Sequence, residues 1–198
     1  MTRATDLEAE PLTPDRWPDL ARLFGPNGAY SNCWCAFQRV SGREFSAGCA
    51  NRGAGNRALL RRLTEEGGRP GLIGYRDGKA VGWVSVGPRP EFGRIVRSPI
   101  LRLSPDEAAD GSVWSVACFF IPRAHRGSGV GRALLDHAVG HARDAGASVL
   151  EGYPVDTAGT RVPASSVFTG TLDLFRGAGF GVVARHLERR PVVRLSLA

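Results

Sequence analysis

HRGSGVGRALL, residues 125–135, sets three alternating glycines behind an arginine and ahead of an apolar run. So much bare backbone at the head of a helix points to an anion as the ligand. The first amides of a helix have no partner within it, and the helix dipole adds partial positive charge there. Glycine lets a bulky phosphate approach those amides. Val130, Ala133, Leu134, Ala138, Ala142 and Ala145 follow at three- and four-residue steps, which predicts an amphipathic helix closed by Gly146. Ahead of the glycines, SVWSVACFFI (112–121) is a near-continuous apolar run and reads as a central strand.

Working outward, LEAEPL (7–12) alternates like a strand, and Thr13-Pro14 open a helix to about Phe24, with Thr13 as its N-cap. NGAYSNCWCAFQRVSG is aromatic and irregular, and a second helix is expected over 55–66. LIGYRDGKAVGWVSV (72–86) reads as a hairpin turning at Asp77-Gly78. A loop carrying Pro88, Pro90, Pro99 and Pro105 follows, with room for one short helix. Beyond the glycine loop come a strand (147–155), a short helix (166–178) and two closing strands, FGVVARHL and PVVRLSL. The order β-α-α-β-β-β-α-β-α-β-β predicts one mixed α/β domain over 1–198.

Composition narrows the partners. The chain has 198 residues, 42% of them hydrophobic and 23% charged, which suits one globular domain with its own core. No apolar stretch reaches the ~20 residues that cross a bilayer. The first residues show no signal-peptide core, so a cytoplasmic protein is expected. The net charge of +7 rests on arginines, with Lys79 the only lysine. They are scattered without aromatic interleaving, so nucleic acid is not the expected partner. A basic surface also draws in a small polyanion.

Three phosphate-binding patterns compete at residues 126–131. A dinucleotide fingerprint needs a third glycine where Arg132 or Leu134 stands, and a P-loop needs Gly-Lys followed by Ser or Thr; neither is present. Arg/Gln-x-x-Gly-x-Gly/Ala fits at every position, as Arg126-Gly127-Ser128-Gly129-Val130-Gly131. FRGAGF (175–180) supplies a helix end of the form aromatic-x-x-x-Gly-Phe. On these two motifs the chain resembles the GCN5-related N-acetyltransferase family, firmly over 112–186 and by element order over 5–87.

That resemblance implies a mostly antiparallel, twisted sheet of six to seven strands with helices on both faces. A splayed strand pair would form the cleft for acetyl-CoA, the acyl donor. The cofactor-binding residues it implies are Arg126, Gly127, Ser128, Gly129, Val130, Gly131 and Arg132 at the pyrophosphate. Backbone donors at Phe119, Phe120 and Ile121 would lie near the thioester, with Phe175 beside it. The implied reaction is acetyl transfer to a primary amine by direct attack, the acceptor being a small molecule or a protein amine. The alternative is a CoA-binding sensor or partner-binding module without turnover. A homodimer is compatible with either.

One position departs from the family pattern. Relatives carry tyrosine where this chain has Phe175, and that phenol protonates the leaving thiolate. Tyr153 is the substitute acid, and Glu151, on the same face of the strand by alternation, is the candidate base. Asp156 is a weaker base, and Arg176 is within reach of a CoA phosphate. Cys33, Cys35 and Cys49 lack paired C-x2-C spacing, so no metal is expected. Their segment reads as packing under the acceptor side or as a wall of the acceptor pocket. If it is a strand, the two cysteines of CWC lie opposite Trp34. His137 and His141 are expected to be solvated.

Overall fold

The computed structural model describes residues 7–101, 103 and 110–197. Residues 1–6, part of the stretch read for a signal peptide, and Pro105 of the proline-bearing loop lie outside the described residues. Seven strands form one sheet: β1 (Glu8–Pro11), β2 (Leu72–Arg76), β3 (Lys79–Pro88), β4 (Val113–Phe120), β5 (Val149–Gly152), β6 (Gly181–Leu187) and β7 (Arg190–Ser196). Their order is β1-β2-β3-β4-β5-β7-β6. Every neighbouring pair is antiparallel except β4 and β5.

Helices cover both faces. On one lie α1 (Trp17–Phe24), α2 (Gly42–Gly48), α3 (Ala50–Glu65) and α4 (Gly93–Arg97); on the other lie α5 (Val130–Asp144) and α6 (Leu172–Gly177). The apolar stripe of α5 is buried, including Leu134, Leu135 and Ala138, against Val81, Val84, Val116 and Leu150 of the sheet. Burying each such leucine contributes about 1.5–3 kcal/mol. Gly74 and Gly82 pair across β2 and β3. A side chain on Gly82 would come within 2.8 Å of Val130, and one on Gly74 within 2.9 Å of Leu134. These two glycines let the amino end of α5 sink onto the sheet.

The hairpin turns at Asp77 and Gly78, both at positive φ, as an inward-twisting two-residue turn requires. Elsewhere the structure corrects the expectations. Thr13 stands at the N-cap with Pro14 after it, but of a 3-10 turn over Pro14–Arg16 that leads into α1, and its hydroxyl accepts from Arg16 in place of a capping amide. The α2 helix, in a stretch with no element expected, begins with a capping box in which Ser41 and Glu44 bond each other's backbone amides. The signal was present as Ser41-x-x-Glu44. Residues 29–35 are not a strand: Ala29, Ser31, Asn32, Trp34 and Cys35 all have positive φ. Trp34 holds this turn together by stacking on Trp17, with centroids 5.9 Å apart, and by packing on Phe24.

Candidate active site

The site begins where β4 ends. After Pro122 and a 3-10 turn over Arg123–His125, Arg126 donates through Nε to the Ile121 carbonyl (2.9 Å), and the Ser128 hydroxyl donates to the His125 carbonyl (2.8 Å). Gly127 (φ 74°) and Gly129 (φ 82°) occupy the left-handed region that glycine enters without steric cost. Gly129 is the N-cap of α5, and the first helical bond runs from Ala133 N–H to the Gly129 carbonyl. The amides of Val130, Gly131 and Arg132 therefore precede the first helical donor and face outward, the arrangement that receives a phosphate.

The sequence reading missed Arg76. At the end of β2, its guanidinium lies within 3.5 Å of the Ser128 hydroxyl and carbonyl. It brings positive charge to the loop from a residue 52 positions away in the chain. The side chain of Arg132 is engaged elsewhere. It chelates Asp136 (2.8 and 2.9 Å) and donates to the Gly177 carbonyl (2.6 Å), tying α5 to the end of α6.

The cleft is a fork between parallel strands. β4 and β5 pair from Val113↔Val149 to Val116↔Gly152 and then separate. Ala117 is an extra residue, since Ser85 opposes Cys118 while Val86 opposes Val116. This bulge sits just before the expected donor amides and bends β4 away. Beyond it the Phe119 amide points into the fork, where it donates to the Phe168 carbonyl (2.6 Å). By the period of two, the Ile121 amide faces the same way, while that of Phe120 turns toward β3, opposite Trp83. The segment 168–171 bridges the fork, since Val155 pairs with Thr171 on its other side.

Phe175 is buried below the fork, against Phe119 and Phe180. It fits because position 152 is glycine: a Cβ there would come within 2.3 Å of the Phe175 ring. Gly152→Ala should cost about 1–3 kcal/mol by overpacking. Phe175→Leu should recover part of that loss in the double variant, a coupling that chemical denaturation of the four-member cycle reads directly.

Glu151 and Tyr153 lie on the opposite face of the sheet, 0% and 1% exposed. The Tyr153 hydroxyl donates to Glu151 Oε1 (2.5 Å) and accepts from the Ser115 hydroxyl (2.8 Å). Arg194 Nε donates to Glu151 Oε2 (2.7 Å), and Arg89 lies 3.6 Å from the same oxygen. Burial, with the Glu151 charge beside it, pushes the Tyr153 phenol well above its ordinary value. The hydroxyl thus stands beside the paired part of β4 and β5, turned back from the fork. Asp156 is held by Arg185 (2.8 Å), which lowers its pKa.

The thiols are free. Cys35 packs with Trp34 and Trp83 and lies 3.6 Å from the Cys118 sulfur. Burial and neighbouring thiols raise the pKa of Cys35 and Cys33. Of the two histidines, His137 is exposed as expected and His141 is not. His137 meets the Leu7 carbonyl (2.9 Å), and His141 is half-buried with its ring on the edge of Trp114, where burial lowers its pKa.

An outward-facing helix start beside a forked strand pair defines a fold that holds a phosphate-bearing ligand with its far end in the sheet. The chain belongs to the acetyltransferase (GNAT) family, whose model matches residues 40–160. Its fold is similar to that of a GCN5-related N-acetyltransferase from Kribbella flavida (18% identity, TM-score 0.55, covering 98% of this chain and 99% of that one). PaiA N-acetyltransferase from Thermoplasma acidophilum, solved in complex with coenzyme A, is similar at 10% identity and TM-score 0.53, covering 96% and 98%. YncA from Salmonella typhimurium, solved with acetyl-CoA, is similar at 18% identity and TM-score 0.50, covering 98% and 95%. None of the curated proteins compared with the chain matches it.

Proposed function

We propose that this chain moves an acetyl group from acetyl-CoA to a primary amine by direct attack. The observation that carries the reading is the 126–131 loop, with its two left-handed glycines at the head of α5 beside the β4–β5 fork. Two similar structures were solved with coenzyme A or acetyl-CoA, which supports the choice of donor. In this reading the amides of Val130, Gly131 and Arg132 hold the pyrophosphate, and Arg76 adds charge beside them. The Phe119 and Ile121 amides receive the pantetheine and the thioester carbonyl, so the Phe168 carbonyl gives way to the donor at Phe119.

The amine nitrogen forms a bond to the acetyl carbon and the C–S bond breaks, its electron pair leaving on sulfur. The amine releases one proton to solvent. The Phe119 amide steadies the charge that develops on the carbonyl oxygen. Phe175 has no proton to give, so the thiolate leaves without a phenol at that position. Its pKa near 8.5 makes this feasible. Four free thiols fit a cytoplasmic setting.

We assign Glu151 and Tyr153 to positioning. Sealed from the fork, they clamp the last paired residues of β4 and β5 and set where the strands part. Tyr153→Phe should cost about 1–3 kcal/mol, the range for a lost buried bond to a charged group. It should leave the KM for acetyl-CoA and the pH profile of kcat unchanged. A kcat loss of roughly 10²–10⁴ would restore the proton-donor role.

Acetyl-CoA at ~100 times its Kd should stabilise the chain by about 2.7 kcal/mol, read as a rise in Tm. No rise at millimolar acetyl-CoA defeats the assignment. The absent phenol at 175 keeps a second reading in play, a module that binds CoA without turnover. Steady-state thiol release with a panel of amines separates the two.

A further inference from the structure

This inference rests on the transfer reading and concerns its acceptor. An amine that attacks at the fork must approach beside Phe119. Phe168 stands there, its carbonyl on the Phe119 amide. Its ring meets the ring of Phe37 at 5.7 Å and 86°, and Phe45 of α2 meets Phe37 at 5.2 Å and 88°. All three rings are half-exposed. They belong to three separate segments, and no one of them accounts for the cluster alone.

Arg94 of α4 closes the row. Its guanidinium lies 4.1 Å above the Phe37 ring centroid, and its Nε donates to the Phe37 carbonyl (2.6 Å). The terminal nitrogens make no ion pair among the described residues. Two carboxylates on the adjoining segments are engaged: Glu44 accepts from the Ser41 amide, and Glu91 from Arg39 at 2.8 Å. The wall is therefore apolar and cationic. The ring fixes the plane of the guanidinium, which suits two-point binding of a carboxylate.

Two further observations mark this as a ligand wall. Gln38 and Thr169 directly follow the two facing rings in the chain. Both are buried, and Gln38 Oε1 and Thr169 Oγ1 have no hydrogen-bond partner among the described residues. Buried polar atoms are nearly always paired, so these two orphans next to the rings in the chain stand out. The loop leading into Phe37 also holds non-glycine residues in the left-handed region, strain of the kind that gathers at ligand walls.

We propose that the acceptor is a primary amine on an apolar or aromatic body that ends in a carboxylate. Phe37, Phe45 and Phe168 hold the body, and Arg94 takes the carboxylate. A polycationic amine is disfavoured, because it meets an arginine whose terminal nitrogens make no ion pair among the described residues.

The test compares 4-(aminomethyl)benzoate, 4-(aminomethyl)benzamide, benzylamine and spermidine. Thiol release reads turnover, and ligand-observed NMR on CoA-loaded protein reads binding. The benzoate should exceed the benzamide by about 10- to 100-fold in kcat/KM, the range for a charge-assisted hydrogen bond, with spermidine last. Arg94→Gln should erase that gap through KM for the benzoate alone and keep the acetyl-CoA-dependent rise in Tm. Equal use of benzoate and benzamide, preference for spermidine, or an equal loss on all acceptors in Arg94→Gln would overturn the proposal. So would failure of every compound to bind or react while acetyl-CoA still raises Tm, an outcome that leaves the donor site standing. Selective benzoate binding without turnover would support the wall and sink the transfer reading.

Discussion

Glu151→Ala should destabilise the chain by about 3–5 kcal/mol, the cost of breaking a buried ion pair from one side. Glu151 is fully buried, with Tyr153, Arg194 and Arg89 arranged around its two oxygens. Removing the carboxylate takes away the anion that the buried Arg89 and the partly exposed Arg194 share. Tm should fall by roughly 10 °C for a chain of this size. Glu151→Gln keeps the shape and should lose less. Activity per folded molecule separates the two roles open to this residue. A positioning group leaves the pH dependence of kcat unchanged in Glu151→Gln at a permissive temperature. A general base loses the acidic limb along with most of kcat.

Gly129→Val should weaken acetyl-CoA binding by about 100-fold, the effect of losing one strong charge-assisted hydrogen bond. A β-branched side chain is strained at φ 82° and covers the amides that face the pyrophosphate. The strain alone costs on the order of 1–3 kcal/mol of stability. Gly146→Val provides the control. Gly146 has φ 81° at the opposite end of α5, where an added side chain meets nothing within 4 Å. It should lose similar stability and keep its affinity for acetyl-CoA. Calorimetric titration of both variants distinguishes a ligand-binding glycine from one that serves only the turn. Equal affinities in the two would show that the loop amides do not hold the donor.

The helix of residues 130–144, the strand before it and the Asp77-Gly78 hairpin were legible because their signals are local. A helical face repeats every three to four residues, an isolated turn needs glycine at positive φ, and a central strand is apolar on both sides. The unpaired amides at the start of α5 were legible for the same reason, since they are consecutive in the chain. Such features follow from a few neighbouring residues whatever the rest of the chain does. The capping box of α2, Ser41-x-x-Glu44, is equally local.

The rest depended on contacts between distant segments. Arg76 reaches Ser128 only because β2 ends beside the head of α5. Glu151 has the strand alternation of a surface or a cleft residue, and only the arrival of Arg194 from β7 and Arg89 from the end of β3 makes it an internal ion-pair centre. Tyr153 follows it into the interior. Phe37, Phe45, Phe168 and Arg94 lie on four segments with no common spacing, so no periodicity could assemble them. Backbone conformation and amphipathic faces are settled by short-range sterics and hydrophobic pattern. Where a charge finds its partner, and which rings share a wall, depends on how the sheet brings strands together across more than a hundred residues of chain.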